Sequence, residues 1–234
     1  MVGVFIGLQV SNWNDLRQQK TNVENYVERV QEELLINQGD ITQKIAYFTK
    51  ARLSALDALI TLNKEPETLG IAFLVDVYQA SQILPREMGR DTYDEILAVG
   101  AANGITDIRV RNRLASYYRS IRPQTTNFTS ISPYREIIRE NMPYAAQAAI
   151  RASCDDIWST ESNGEAVVSL PESCEPVITT DDIDVAVNAI YELNIRSALV
   201  RRISDLDLKL TAARIFIERT TMMDAYLEDL PKRG

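Results

Sequence analysis

The densest mixture of charged and aromatic side chains in this sequence lies between residues 91 and 119. Tyr93, Asp94 and Glu95 come first, Asp107, Arg109, Arg111 and Arg113 follow, and Tyr117, Tyr118 and Arg119 close the run. Guanidinium groups hold carboxylates and phosphates in a planar fork, and tyrosine rings wall small pockets. Tyr93, Asp94, Arg113 and Tyr117 are therefore candidate ligands for a small anion or peptide. On a helix opening near residue 107, Arg113 and Tyr117 stand four residues apart on one face, while Leu114 and Tyr118 share another. The same residues also allow a purely structural role. In that case Tyr118 and Leu114 belong to the core, and the arginines pair with Asp94, Glu95 or Asp107 to lock two helices together.

Cys154 and Cys174 are the only cysteines. In an oxidising compartment a bridge between them would close the intervening loop and contribute about 3 kcal/mol by chain entropy. In the cytosol they would stay two thiols. Two thiols without a histidine are too few for a structural zinc site. The chain has no histidine, which removes the commonest general base, the commonest metal ligand and every Ser-His or Cys-His nucleophile. The acidic groups Asp155-Asp156 and Asp181-Asp182-Asp184 raise glycosidase or calcium chemistry. They lack EF-hand spacing, and the second group reads as the dipole-capping start of a helix. Asn127-Phe128-Thr129 matches a glycosylation sequon, which carries meaning only in a eukaryotic secretory protein. No P-loop, dinucleotide fingerprint or nucleophile elbow occurs. The residues thus assign no catalytic group, metal or cofactor.

The elements that must position these groups are helical. Among 234 residues, 45% are hydrophobic and 25% charged, with only 9 Gly and 8 Pro. That composition suits one globular, helix-rich domain and not a turn-rich β fold. A net charge of −8 leaves no basic excess for a nucleic-acid backbone. Apolar residues at Leu16, Val23, Val27, Val30 and Leu34 predict a first helix from about residue 3 to 37, with coiled-coil character. Gly39 would end it in a left-handed residue and Asp40 would cap a second helix reaching about Leu62, the two forming an antiparallel hairpin. A short helix is expected from about Glu67 to Gln82, another from Asp91 or Thr92 to near Gly100, and a third from Thr106-Asp107 to about Ile121, stopped by Pro123. Pro133 fits the first position of a helix running to about Ala152 and kinked or split at Pro143. Residues 154 to 180 form a loop excursion, with short β-like pieces at Ala166–Val168. One long amphipathic helix then starts at Thr180 or Asp181 and continues to about Ile217. The expected fold is an all-α, up-and-down helical bundle with long first and last helices and one cysteine-bracketed excursion.

The first ten residues are almost wholly apolar, and Trp13 stands where an interfacial aromatic belongs, just before Asp15, Arg17 and Lys20. Ten helical residues cover about 15 Å, half a bilayer core, so the segment does not span on its own. We read residues 1–12 as the outer remnant of a transmembrane helix, with a buried N-terminal helical turn as the alternative, and 13–234 as a single domain. The alternating charges Arg201, Arg202, Asp205, Asp207 and Lys209 keep the last helix out of the bilayer.

The run IGLQVSNWNDLRQQKTNVENYVERVQEELLIN resembles the start of a bacterial family of uncharacterised, N-terminally anchored membrane proteins. Leu8, Gln9, Asn12, Trp13, Asn14, Arg17, Glu24, Tyr26, Leu34 and Leu35 carry the likeness. A second patch is similar through Thr92, Tyr93, Asp94, Glu95, Gly100, Ile105, Asp107, Arg111, Leu114, Tyr117 and Tyr118. The resemblance covers roughly residues 3 to 121. It implies anchorage in the bacterial inner membrane with the body on the periplasmic side, and with that location a Cys154–Cys174 disulfide. Two functions follow as expectations. The first is a non-enzymatic module that binds an envelope protein or a second copy of itself. The alternative is a small-ligand or anion sensor, or an enzyme, with its site around residues 91–119.

Overall fold

The computed structural model describes residues 2–160 and 166–230, with backbone alone at 2–12, 14–16, 19 and 103. Among the described residues the fold is all-α apart from one small hairpin. Helices α1 (Val2–Thr61), α2 (Ile71–Ala80), α3 (Asp91–Ala98), α4 (Ile108–Thr129), α5 (Pro133–Asn141) and α6 (Tyr144–Cys154) precede strands β1 (Ile157–Thr160) and β2 (Ala166–Ser169). Helices α7 (Thr180–Glu192) and α8 (Arg196–Glu228) complete the fold. The long first and last helices and the excursion bracketed by cysteines are present as expected, and a disulfide joins Cys154 to Cys174. Among the described residues no helix is long and apolar enough to cross a membrane. The side chains of residues 1–12, on which the expectation of a membrane-helix remnant rests, lie outside the described residues.

The first expectation to be corrected is the hairpin at Asn37–Asp40, because α1 runs straight through it. Among the buried positions of α1, one stripe runs Val30, Leu34, Asn37, Ile41, Lys44, Phe48, Ala51, Ala55 and Ala58. Its spacing alternates four and three without a break, which keeps it on one face of the helix from Val30 to Ala58. Asn37 and Lys44 hold two of those places, so an apolar pattern loses the stripe at the very point where Gly39 suggests a turn. Gly39 lies on the exposed face of the helix, where it costs roughly 1 kcal/mol relative to alanine and no packing. Asn37 spends its side chain elsewhere, donating to the Gly89 carbonyl at 2.9 Å and accepting from the Gly89 N–H at 2.8 Å.

Two further corrections follow the same logic. Pro123 does not stop α4, which continues to Thr129. Ile121 and Phe128, seven residues apart, are both buried, and their packing offsets the roughly 3 kcal/mol that an interior proline costs. The predicted final helix is two helices. Asn194, with φ of 48°, takes the left-handed conformation that asparagine tolerates best after glycine. Its N–H closes on the Tyr191 carbonyl at 3.1 Å, and α8 starts afresh at Arg196.

Other boundaries lie where local chemistry put them. Pro133 opens α5 behind Ser132, whose hydroxyl accepts from the Tyr134 N–H. Pro143 separates α5 from α6. Gly100, with φ of 70°, ends α3 in the left-handed region. Thr179 caps α7, accepting from the Asp182 N–H, and Asp181 and Asp182 face the positive end of the helix.

The chain divides into two compact units. One comprises the chain up to Asp40, Glu87–Thr125 and the chain from Phe216 onward; the other comprises Ile41–Arg86 and Thr126–Ile215. The first unit buries Val30, Leu34, Ile96, Val110, Leu114, Tyr117, Tyr118 and Phe216. The second has a core of Phe73, Leu74, Val77, Tyr78, Tyr134, Ile138, Ile150, Val187, Ile190 and Leu199 around the buried Cys154. Each fully buried aromatic or aliphatic side chain there contributes on the order of 2 kcal/mol. The hairpin belongs to this second unit, with Trp158 opposite Val168 and Ile157 opposite Ser169.

Candidate functional site

The first unit holds the residues that the sequence nominates. On α1, Glu33 is buried, and its carboxylate accepts the Tyr118 hydroxyl at 2.5 Å and the Thr92 N–H at 2.7 Å. The second bond satisfies a backbone donor in the first turn of α3, so α1 supplies that helix with a cap its own Arg90 cannot. Tyr93 stacks on Tyr118 with centroids 4.2 Å apart and planes 3° from parallel. Burial pushes the Tyr118 phenol well above the ordinary tyrosine range, and the Glu33 carboxylate reinforces the shift. Tyr93 is raised in the same direction, chiefly by burial.

The charged residues around this stack pair locally. Arg90 grips Asp94 through Nε and Nη2, at 2.7 and 2.6 Å, and holds its carboxyl below the usual range. Arg29 on α1 pairs with Glu95 on α3. Asp107 accepts from the Arg109 backbone at 2.8 Å and from its guanidinium. Thus Tyr118 and Leu114 are core, and Asp94, Glu95 and Asp107 each face an arginine.

Tyr93, Asp94, Arg113 and Tyr117 are not gathered into one pocket. Tyr93 lines a cleft of about 280 Å³ together with Ile96, Leu97, Ile108, Arg111 and Leu114. Arg113 and Tyr117 line a separate cleft of about 170 Å³ with Arg219, Met222 and Met223. Asp94 lines neither. Tyr117 is nearly inaccessible, stacked on Phe216 at 5.4 Å and sharing a 3.1 Å hydrogen bond with the Thr220 hydroxyl. Burial takes its phenol up to about 12. The Arg113 guanidinium lies 4.0 Å above the Tyr226 ring, a cation–π contact that uses its charge on the protein itself. The first cleft is the larger of the two. Its walls are mainly aliphatic, Leu97 and Ile108 are about half exposed, and the Nε of Arg111 is buried without a hydrogen-bond partner. Such a surface recognises an apolar group and offers one guanidinium beside it.

Elsewhere, Asp156 accepts the Tyr47 hydroxyl at 2.8 Å. Among the described residues no three acidic or cysteine side chains converge as metal ligands. The buried polar groups that pattern reading passed over sit on helical seams. They include Glu33, Asn37 and Lys44 on α1 and Arg202, Lys209 and Thr220 on α8. Among the buried residues, one stripe runs from Ile195 just before α8 through Leu199, Arg202, Leu206, Lys209, Ala213, Phe216, Thr220, Met223 and Leu227, again alternating four and three. That spacing was the available signal: a cation on the apolar register is a cation pointed inward.

The chain matches no protein-family model, no curated protein and no solved structure.

Proposed function

We propose that this chain is a membrane-anchored, extracytoplasmic helical module of the bacterial envelope that acts by binding a protein partner. The observation that carries the reading is the disulfide joining the only two cysteines, Cys154 and Cys174. Stable disulfides belong to oxidising compartments, and the bacterial periplasm is one. The resemblance of residues 3–121 to N-terminally anchored bacterial proteins supports the same topology. So does the apolar run Val2–Val10 followed by Trp13, which is 63% exposed.

Binding is favoured over catalysis because the polar groups of the nominated region are engaged with one another. Asp94, Glu95 and Asp107 face arginines, Tyr118 faces Glu33, and Tyr117 faces Thr220. What remains open is the aliphatic cleft lined by the half-exposed Leu97 and Ile108. An exposed apolar cleft of this kind is a protein-docking feature.

Fractionation of cells expressing the full chain tests the anchorage. The expected result is a membrane-bound protein that resists alkaline extraction and is digested by protease added to spheroplasts, with release when residues 1–12 are deleted. Recovery of the full chain in the soluble cytosolic fraction would overturn the reading.

A further inference from the structure

A second site, in the other unit, is built around two cations. Arg202 and Lys209 on α8 are 0% and 3% exposed. Burying one unpaired cation costs several kcal/mol, and burying two close together adds their repulsion. Proteins normally answer this with a carboxylate in contact. Here, among the described residues, neither cation has an ion-pair partner, and both rest on neutral carbonyls. Arg202 donates to the Ala80 and Gln82 carbonyls at 2.8 and 2.7 Å. Lys209 donates to those of Phe128 and Ser130, both at 3.0 Å, with the Phe48 ring 5.4 Å away. The Nη1 of Arg202 is buried with no hydrogen-bond partner, and the Lys209 ammonium has a third proton to give.

Both cations line one cavity of about 210 Å³, which also receives Ser130, Ser132, the exposed Arg201 and the half-buried Asp205. That is below the size of pockets for drug-like ligands and suits a small group. The Nη1 of Arg202, the third proton of Lys209, the Arg201 guanidinium and the Ser132 hydroxyl, which in the fold only accepts from the Tyr134 N–H, form the donor set of a tetrahedral oxyanion site. Asp205 adds selectivity. A carboxylate repels a fully deprotonated anion, but it accepts the P–OH proton of a phosphate monoanion, which sulfate lacks at neutral pH.

We propose that the cavity walled by Ser130, Ser132, Arg201, Arg202, Asp205 and Lys209 binds a phosphate monoanion, either free or as the head of a phosphomonoester. The phosphate lies between the two buried cations and completes the charge pairing that the chain leaves open. A P–OH group of the monoanion donates a hydrogen bond to the Asp205 carboxylate. Burial brings Arg202 down to about 10, and burial followed by the Arg202 charge brings Lys209 down to about 8, with the Asp205 carboxylate offsetting part of each shift. This site is independent of the cleft in the first unit, and the proposal stands or falls apart from the anchorage.

Isothermal titration of the full chain at about pH 6, where the monoanion is well populated, tests the site with sodium phosphate and sodium sulfate at matched ionic strength. The expected result is saturable phosphate binding, with sulfate weaker by roughly tenfold or more. Asp205→Asn should level the two anions. Arg201→Gln, an exposed position that the fold does not need, should weaken phosphate several-fold, and Lys209→Gln should abolish binding in a chain shown by circular dichroism to be folded. A soluble short-chain phosphatidate separates the sources: tighter binding than inorganic phosphate identifies a phosphomonoester, and weaker binding identifies the free ion. Absence of saturable phosphate binding by the wild-type chain overturns the proposal. So does binding that does not distinguish sulfate and is unmoved by Asp205→Asn and Arg201→Gln.

Discussion

The Tyr118 hydroxyl donates to the buried Glu33 carboxylate at 2.5 Å, although 85 residues separate them in sequence. This bond ties α4 to α1, and the same carboxylate caps α3 through the Thr92 N–H. Three helices of the first unit therefore depend on one side chain.

Removing Glu33 is accordingly predicted to be costly. Glu33→Ala leaves a buried hydroxyl and a helix-terminal N–H without their acceptor, and should destabilise the unit by about 2–4 kcal/mol. Tyr118→Phe keeps the ring stack with Tyr93 and removes only the donor, at about 1–2 kcal/mol. A double-mutant cycle by urea denaturation should show a coupling near the single Tyr118→Phe cost. Additive effects would contradict the shared role of Glu33.

Asp76 in the second unit provides a pH-dependent test. Desolvation, reinforced by the charge of Asp57, takes its carboxyl up to about 7. The folded state thus keeps a proton that the unfolded state has released, so stability from this group is present at low pH. It is lost as pH rises from the unfolded value near 4 through the folded value near 7. Asp76→Asn should flatten that loss and raise stability at pH 8 by about 1–2 kcal/mol, a figure discounted for the part of the carboxyl that water reaches. Thermal melts from pH 4 to 8 would show it as a gain in Tm confined to the higher pH values.

Pro123 lies in the interior of α4 and is exposed. Since the helix already runs through it, Pro123→Ala should restore a backbone hydrogen bond without disturbing the core. The expected gain is about 1–3 kcal/mol, read as a higher denaturation midpoint with unchanged slope. A loss of stability would mean that the proline sets a conformation the helix requires.

These helices also show what the sequence made legible. The all-α class, the positions of Pro133 and Pro143 at helix boundaries, a helix opening at Thr180 and the cysteine-bracketed excursion all rest on local chemistry, and local chemistry is written in neighbouring residues. The α1 hairpin failed for the opposite reason. Asn37 occupies a seam position because a distant part of the chain, Gly89, accommodates it, and Lys44 is buried on the same seam. A pattern of apolar residues alone therefore breaks where the helix does not. Pro123 and Asn194 mislead similarly, since packing overrides the one and a single left-handed residue ends a helix at the other. In the candidate region, the pairing of Arg113 with Tyr117 on one face was readable from a spacing of four. That Tyr93 and Arg113 line different clefts was not, because it depends on how α3 and α4 pack. Arg202 and Lys209 were hidden among the exposed charges of α8, and only their seven-residue spacing on the apolar register marks them as inward.

The central claim, a disulfide-bonded body outside the cytoplasm, is tested most directly by thiol accessibility in intact cells expressing the full chain. The account predicts that Cys154 and Cys174 are not labelled by a membrane-impermeant maleimide until the cells are treated with an impermeant reductant, after which both react. Free thiols that react only after lysis, with no need for reduction, would contradict it.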